Sequence, residues 1–101
     1  MRKTVSALAT LSLTFLLAPA AHAATGEFFF ETGPGRTLRL FNPPSGRCIK
    51  LPDPSPAVSN QTDRTASLWM SDHCTEPLLD VAGGQAWRRT QRVWARSVTF
   101  A

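Results

Sequence analysis

The densest chemistry in the sequence lies near its C-terminus, where four arginines are interleaved with two tryptophans. The six residues are Trp87, Arg88, Arg89, Arg92, Trp94 and Arg96. Guanidinium groups bind phosphates and carboxylates, and tryptophan rings stack on bases, sugars or other cations. Both residue types also dominate the binding energy of protein interfaces. We take this segment as the candidate binding surface. The alternative is that the tryptophans belong to the core and that the arginines only solubilise the surface around them.

Side chains of the types used in catalysis occur elsewhere in the sequence, but their spacing does not suit a catalytic site. Residues 71–74 (Ser-Asp-His-Cys) include every residue type of a nucleophilic triad, but neighbours in sequence cannot face one another in triad geometry. Glu27 and Glu31 are interpreted as a solvated edge instead of an acid/base pair. No glycine-rich phosphate loop is present in a strand–loop–helix context. We therefore predict a protein that is not an enzyme, with no catalytic residues, no metal site and no cofactor.

The N-terminus predicts export. Arg2 and Lys3 precede an uncharged, mostly apolar stretch over residues 5–17, and residues 21–23 (Ala-His-Ala) follow the small-x-small pattern that signal peptidase accepts. The apolar stretch is shorter than the roughly 20 residues of a membrane-spanning helix. We expect a bacterial Sec-type signal peptide over residues 1–23, cleaved after Ala23, and a secreted product with no membrane attachment.

The charge balance changes when this segment is removed. The whole chain has 101 residues, 11 Lys and Arg, 7 Asp and Glu, and a net charge of +4. Loss of Arg2 and Lys3 with residues 1–23 leaves 78 residues with 9 basic and 7 acidic side chains, a net charge of +2. The four arginines of the candidate surface account for this excess, so the positive charge is local. We predict an anionic cell-wall polymer or an extracellular protein as partner, and no nucleic acid.

The two cysteines predict a disulfide. A domain of fewer than about 80 residues buries a limited core and often needs a covalent cross-link. Cys48 and Cys74 are the only cysteines, and an exported chain enters an oxidising space. The alternatives are a thiol nucleophile and half of a metal site. With His73 as the single histidine after residue 23, a zinc site would need Asp or Glu ligands as well.

The remaining pattern is that of an all-β sandwich formed as one small domain over residues 24–101. Strands are predicted at residues 28–30, 37–41, 48–51, 65–70, 77–79 and 93–100 from apolar runs and period-2 alternation. Residues 52–56 contain three prolines, which predicts a surface connection. One helical turn at most is predicted within residues 86–94, where Arg88, Arg92 and Arg96 share a four-residue spacing.

An internal repeat is also predicted. Leu40-Phe41 matches Leu68-Trp69 at a spacing of 28, and residues 66–68 match residues 96–98 at a spacing of 30. Cys48 and Cys74 fall at nearly the same place in the two segments. We interpret the chain as two pseudo-repeated halves.

These halves, each ending in a strand with a Ser-apolar pair, resemble the paired Greek keys of small secreted bacterial βγ-crystallin-like proteins. The resemblance covers residues 38–100, and residues 94–100 look like the closing strand of that fold. It implies a small Greek-key sandwich and a non-catalytic binding role. The sequence departs from the family in having no complete aromatic-glycine corner. Residues 60–63 (Asn-Gln-Thr-Asp) also lack the arrangement of the calcium-binding members.

Two functional hypotheses follow. The first is a secreted, monomeric binding or interaction module that uses the candidate binding surface. The second is a secreted protease inhibitor, a role that the resemblance also implies. It would present either the proline-rich residues 52–58 or the loop closed by Cys48 and Cys74, because a stiff loop is presented to a partner at low entropic cost.

Overall fold

The computed structural model describes residues 22–101, which form eight strands and no helix. The strands are β1 (Gly26–Glu31), β2 (Thr37–Phe41), β3 (Ile49–Ser55), β4 (Ala57–Thr62), β5 (Ala66–Trp69), β6 (Pro77–Val81), β7 (Ala86–Arg88) and β8 (Ala95–Phe100). The predicted all-β class is confirmed. Residues 1–21, which hold most of the predicted signal peptide, lie outside the described residues. Over residues 22–101, no helix has the length and apolar character needed to cross a membrane.

The strands form two four-stranded sheets. The first sheet has the order β2-β1-β4-β7 and the second has the order β3-β8-β5-β6, with every neighbouring pair antiparallel. Because strand direction alternates along the chain, the connections that follow odd-numbered strands gather at one end of the sandwich, which we call the upper end. These connections are residues 32–36, Pro56, residues 70–76 and residues 89–94. The other connections lie at the lower end.

The core lies between the two sheets. Phe28, Phe30 and Val58 face it from the first sheet, and Leu68, Val98 and Phe100 face it from the second. The rings of Phe28 and Phe100 meet edge to face, with centroids 5.2 Å apart. Burial of alternate residues along each strand is the source of most of the apolar stabilisation.

The prediction of a surface connection over residues 52–56 is wrong. Pro52 and Pro54 lie within β3, Pro56 alone turns the chain, and residues 57–62 form β4, a strand that the sequence did not predict. Proline is tolerated in β3 because this strand is at the edge of its sheet, where a missing N–H leaves no ladder hydrogen bond unmade. The pairing of β3 with β8 also shifts register between Lys50 and Ser55.

No helical turn forms within residues 86–94, where one turn at most was predicted. Residues 86–88 form β7, which pairs with β4 through Val58 opposite Trp87, and residues 89–94 are irregular. The four-residue spacing of the arginines therefore reflects no helix. Hydrogen bonding to β4 and packing of Trp87 on the core hold residues 86–88 extended.

The internal symmetry has a longer period than the sequence predicted. The matches at 28 and 30 positions are wrong, because the first equates β2 with β5 and the second equates β5 with its own neighbour β8. Three strands of the first sheet have a counterpart at the equivalent position of the second sheet: β1 corresponds to β5, β2 to β6, and β4 to β8. Ala57 and Ala95, which begin β4 and β8, are 38 positions apart, and Ser59 and Ser97 share that offset. Short alternating strands resemble one another at several offsets, so the sequence pattern alone could not fix the period.

The predicted disulfide is confirmed. Cys48 and Cys74 are bonded, with their Cα atoms 5.9 Å apart. The bond joins the residue before β3 to the connection between β5 and β6, which covers the outer side of the second sheet. Ser97 also holds this connection, because its hydroxyl donates to the Ser71 carbonyl at 2.6 Å and accepts from the Cys74 amide at 3.1 Å.

Replacing both cysteines, as in Cys48→Ser with Cys74→Ser, should lower the free energy of unfolding by about 3.5 kcal/mol, the loop-closure entropy of a cross-link with this separation. Denaturant unfolding measures the loss. Reducing agent should lower the stability of the wild type to that of the double variant and leave the variant unchanged. Equal stability of the oxidised wild type and the double variant would contradict the prediction.

Gly26 should resist substitution, because its backbone has φ of 121° and a Cβ there would lie 2.3 Å from the Gln61 carbonyl oxygen. We expect Gly26→Ala to cost at least about 2 kcal/mol of folding free energy. Gly33→Ala is the matched control, since a Cβ at Gly33 meets nothing within 4 Å. In thermal unfolding, Gly26→Ala should melt at a clearly lower temperature than Gly33→Ala. Similar melting temperatures would contradict the predicted clash between a Cβ at position 26 and the Gln61 carbonyl oxygen.

Candidate binding surface

The six predicted surface residues lie in one continuous stretch at the upper end. Trp87 and Arg88 are in β7, Arg89, Arg92 and Trp94 are in the connection, and Arg96 is in β8. Trp87 is partly buried and packs against the core cluster. The ring therefore acts at least in part as a core aromatic, which was the alternative interpretation of this residue.

The four arginines have different environments. Arg88 pairs with Glu31, with 2.5 Å between a guanidinium nitrogen and a carboxylate oxygen. The Arg89 guanidinium lies 3.8 Å from the ring centroid of Trp94, and the Arg89 amide donates to the Pro56 carbonyl at 2.9 Å. Arg92 and Arg96 are exposed, and neither forms an ion pair within residues 22–101. Two of the arginines thus have structural contacts, and two are free to contact a partner.

The fold adds a fifth arginine that the sequence analysis did not place with these. Arg36 ends the connection between β1 and β2, so it also lies at the upper end. Of the acidic residues there, Glu31 is already paired with Arg88. Asp72 and Glu76 belong to the connection that Ser97 and the disulfide hold against the second sheet. On the first-sheet side of the upper end, Arg36, Arg89 and Arg92 therefore exceed the acidic groups, whereas Arg96 lies in β8 of the second sheet.

A groove on the outer face of the first sheet is a second feature that sequence reasoning missed. The strand register places Phe29, Ser59 and Ala86 in one row across β1, β4 and β7. They line a depression of about 370 Å³, together with Ala57 and the Arg88–Glu31 pair. Ala57 is only 6% exposed, although it lies on the outer face, because the ion pair spans β4 above it. We call this depression the sheet groove.

The glutamates of β1 are not a solvated edge, contrary to the prediction. Glu27 accepts from Arg39 of the adjacent strand β2, and Glu31 accepts from Arg88 of β7. Alternation within β1 predicts that both glutamates share a face with Phe29. Their partners depend on which strands lie beside β1, and the sequence pattern does not contain that information.

Residues 71–74 lie in the connection that is closed by the disulfide. The Ser71 hydroxyl accepts from the Thr75 amide at 3.0 Å and hydrogen-bonds the Thr75 hydroxyl at 2.8 Å, His73 is exposed, and Cys74 is oxidised. These contacts shape the turn. In the part of the chain that the structure describes, no three His, Cys, Asp or Glu side chains are grouped so that they could hold a metal ion.

Comparison of the chain with protein-family models, with curated proteins and with solved structures finds no match. The arrangement of the side chains described above leaves two surfaces as candidates for binding, the basic upper end and the sheet groove.

The stack of Arg89 on Trp94 should stabilise the connection over residues 89–94. We expect Arg89→Gln to lower the free energy of unfolding by about 1 kcal/mol, because a cation over an indole ring contributes this much at a partly exposed site. Arg92→Gln removes the same charge from an exposed side chain and serves as the control, with no measurable loss expected. Denaturant unfolding followed by tryptophan fluorescence tests both, and equal midpoints would show that the stack contributes nothing.

Proposed function

We propose that this chain is an exported, non-catalytic binding module with a Greek-key sandwich of the βγ-crystallin-like type. The strand order supports the Greek-key part of the proposal. In the first half, β4 returns to lie beside β1, and in the second half β8 returns to lie beside β5. A fourth strand that returns beside the first is the defining feature of a Greek key. The third strand of each half, β3 or β7, joins the opposite sheet.

The predicted export is supported by the sequence, and the contacts around the predicted cleavage position are compatible with it. Ala24, the first residue after the predicted cleavage position, is fully buried, and its amide donates to the Pro43 carbonyl at 2.8 Å. His22 and Ala23 precede that position and contact the same loop, through the Ser45 amide and a bridge to Pro44. Cleavage after Ala23 would remove these two contacts and leave the strands of the sandwich complete.

The basic upper end is the proposed contact surface, and an anionic cell-wall polymer is the proposed ligand. One observation carries this proposal: five arginines gather at one end of a small domain, and two of them, Arg92 and Arg96, are exposed without an ion-pair partner in the described region. A one-sided charge of this kind attracts polyanions over a distance of roughly 10 Å at moderate ionic strength. An acidic extracellular protein would be attracted by the same field.

The inhibitor hypothesis loses its main candidate loop. Of residues 52–58, only Pro56 lies outside a strand, and Ser55, Ala57 and Val58 are buried. Burial of these three residues argues against insertion of residues 55–58 into a protease active site. The exposed connection with His73 remains, but no contact or shape favours an inhibitory role for it, so we retain the binding module as the proposed function.

Removing the two free arginines should weaken binding to anionic wall material. Near an anionic surface each arginine contributes about 1 kcal/mol, so Arg92→Gln with Arg96→Gln should lower affinity roughly 10- to 30-fold. The measurement is retention of the purified protein, residues 24–101, on wall polymer at about 50 mM and about 300 mM salt. Raising the salt concentration should weaken retention of the wild type more than retention of the double variant.

The control variant combines Arg47→Gln with Arg64→Gln and therefore has the same net charge. Both arginines lie at the lower end, since the Gly46 amide bonds the Phe100 carbonyl and the Ala101 amide bonds the Thr65 carbonyl. If the upper end is the contact surface, this variant keeps most of its affinity. An equal loss from both double variants would show that net charge, and not a defined surface, drives retention.

A further inference from the structure

We propose that the sheet groove binds a neutral glycan chain. This goes beyond the proposed function, because it concerns a different surface and a ligand without charge. The groove lies on the outer face of β1, β4 and β7. Phe29, Ser59 and Ala86 form its wall and floor, and the Arg88–Glu31 pair, with Ala57 beneath it, bounds one side. The shape, the polar groups and the charge of this face each favour a neutral glycan.

The shape suits a sugar ring. The half-buried Phe29 ring forms one wall, and the small side chains of Ser59 and Ala86 leave space beside it. A pyranose ring has an apolar C–H face that packs on an aromatic side chain, and its hydroxyls project around its rim. At about 370 Å³ the depression falls within the usual range for small-molecule sites.

The charged groups beside the groove are paired with one another. Arg88 and Glu31 form an ion pair at one side, and Arg39 and Glu27 form a second pair on the same face. The Ser59 hydroxyl accepts from the Gln61 side-chain amide at 2.9 Å. Guanidinium groups donate and carboxylates accept, so sugar hydroxyls, which do both, find partners without reorganisation of the face.

Charge complementarity selects a neutral ligand. Each arginine on this face is already paired with a glutamate, so the face offers equal numbers of positive and negative groups. An anion bound here would approach Glu27 or Glu31, and a cation would approach Arg39 or Arg88. A neutral polyol meets neither repulsion. Binding in the groove should therefore depend little on salt, in contrast to binding at the upper end.

The test is an NMR titration of the isotope-labelled protein, residues 24–101, with three neutral oligosaccharides: chitotriose, cellotetraose and maltotetraose. At least one of them should shift the backbone amides of Phe29, Ser59 and Ala86 with a saturable curve below about 10 mM. Raising the salt from about 50 mM to about 300 mM should leave the affinity unchanged within twofold.

Ala86→Leu fills the groove and should weaken glycan binding at least tenfold. Ala82→Leu makes the same change at an exposed position in the connection between β6 and β7, and should bind as the wild type does. Matching denaturation midpoints for the two variants show that both are folded. The proposal is overturned if none of the three glycans shifts these amides, or if the two leucine variants bind equally well.

The variant with Arg92→Gln and Arg96→Gln separates this inference from the proposed function. It should keep wild-type affinity for the glycan while losing retention on anionic polymer, because neither arginine lines the groove. A parallel loss of both kinds of binding would assign glycan binding to the upper end and would overturn the inference. Failure of polymer retention in the wild type, with glycan binding intact, would overturn only the proposed function.

Discussion

Neither half of the chain, β1 to β4 or β5 to β8, can complete a sheet alone, because the third strand of each half joins the sheet of the other half. The rest of the structure depends on this exchange of strands. β3 of the first half pairs with β8, and β7 of the second half pairs with β4. Each sheet therefore needs a strand from the other half. The edge-to-face contact of Phe28 with Phe100 joins the halves at the centre of the core. Stability and topology are coupled, because separating the halves would expose the core and leave both exchanged strands unpaired.

The exchange also creates the candidate sites. Because β7 lies beside β4, Arg88 reaches over Ala57 to Glu31 and encloses one side of the sheet groove. The same placement brings the connection after β7 to Pro56, where the Arg89 amide is held. Two surfaces with different electrostatics result. The upper end has unpaired positive charge, whereas the outer face of the first sheet has arginines that are each balanced by a glutamate.

The second sheet is covered on its outer side around Ser97. Ser97 faces away from the core, yet it is fully buried because the connection between β5 and β6 folds over it. The disulfide between Cys48 and Cys74 fixes that connection covalently. In a domain of this size, a buried hydroxyl with two partners and one cross-link together supply stability that a small apolar core cannot supply alone. The outer face of the first sheet, by contrast, is open to solvent at the sheet groove.

The sequence by itself determined which residues form several strands and which cysteines pair. Residues 37–41 alternate so regularly that the predicted and observed bounds of β2 agree, and two cysteines admit a single intramolecular disulfide. It did not determine the second part of β3, because prolines at residues 52–56 argue against a strand unless the strand is known to lie at an edge.

Only the tertiary structure decided the neighbours of each strand. Alternation tells which face a side chain occupies, but strand order and register decide what lies beside it. The pairing of Glu31 with Arg88, 57 positions away, is an example, as is the gathering of Arg36 with Arg92 and Arg96 at one end. Local sequence patterns encode periodicity over a few residues, whereas a binding surface is assembled from strands that are distant in sequence and adjacent in space.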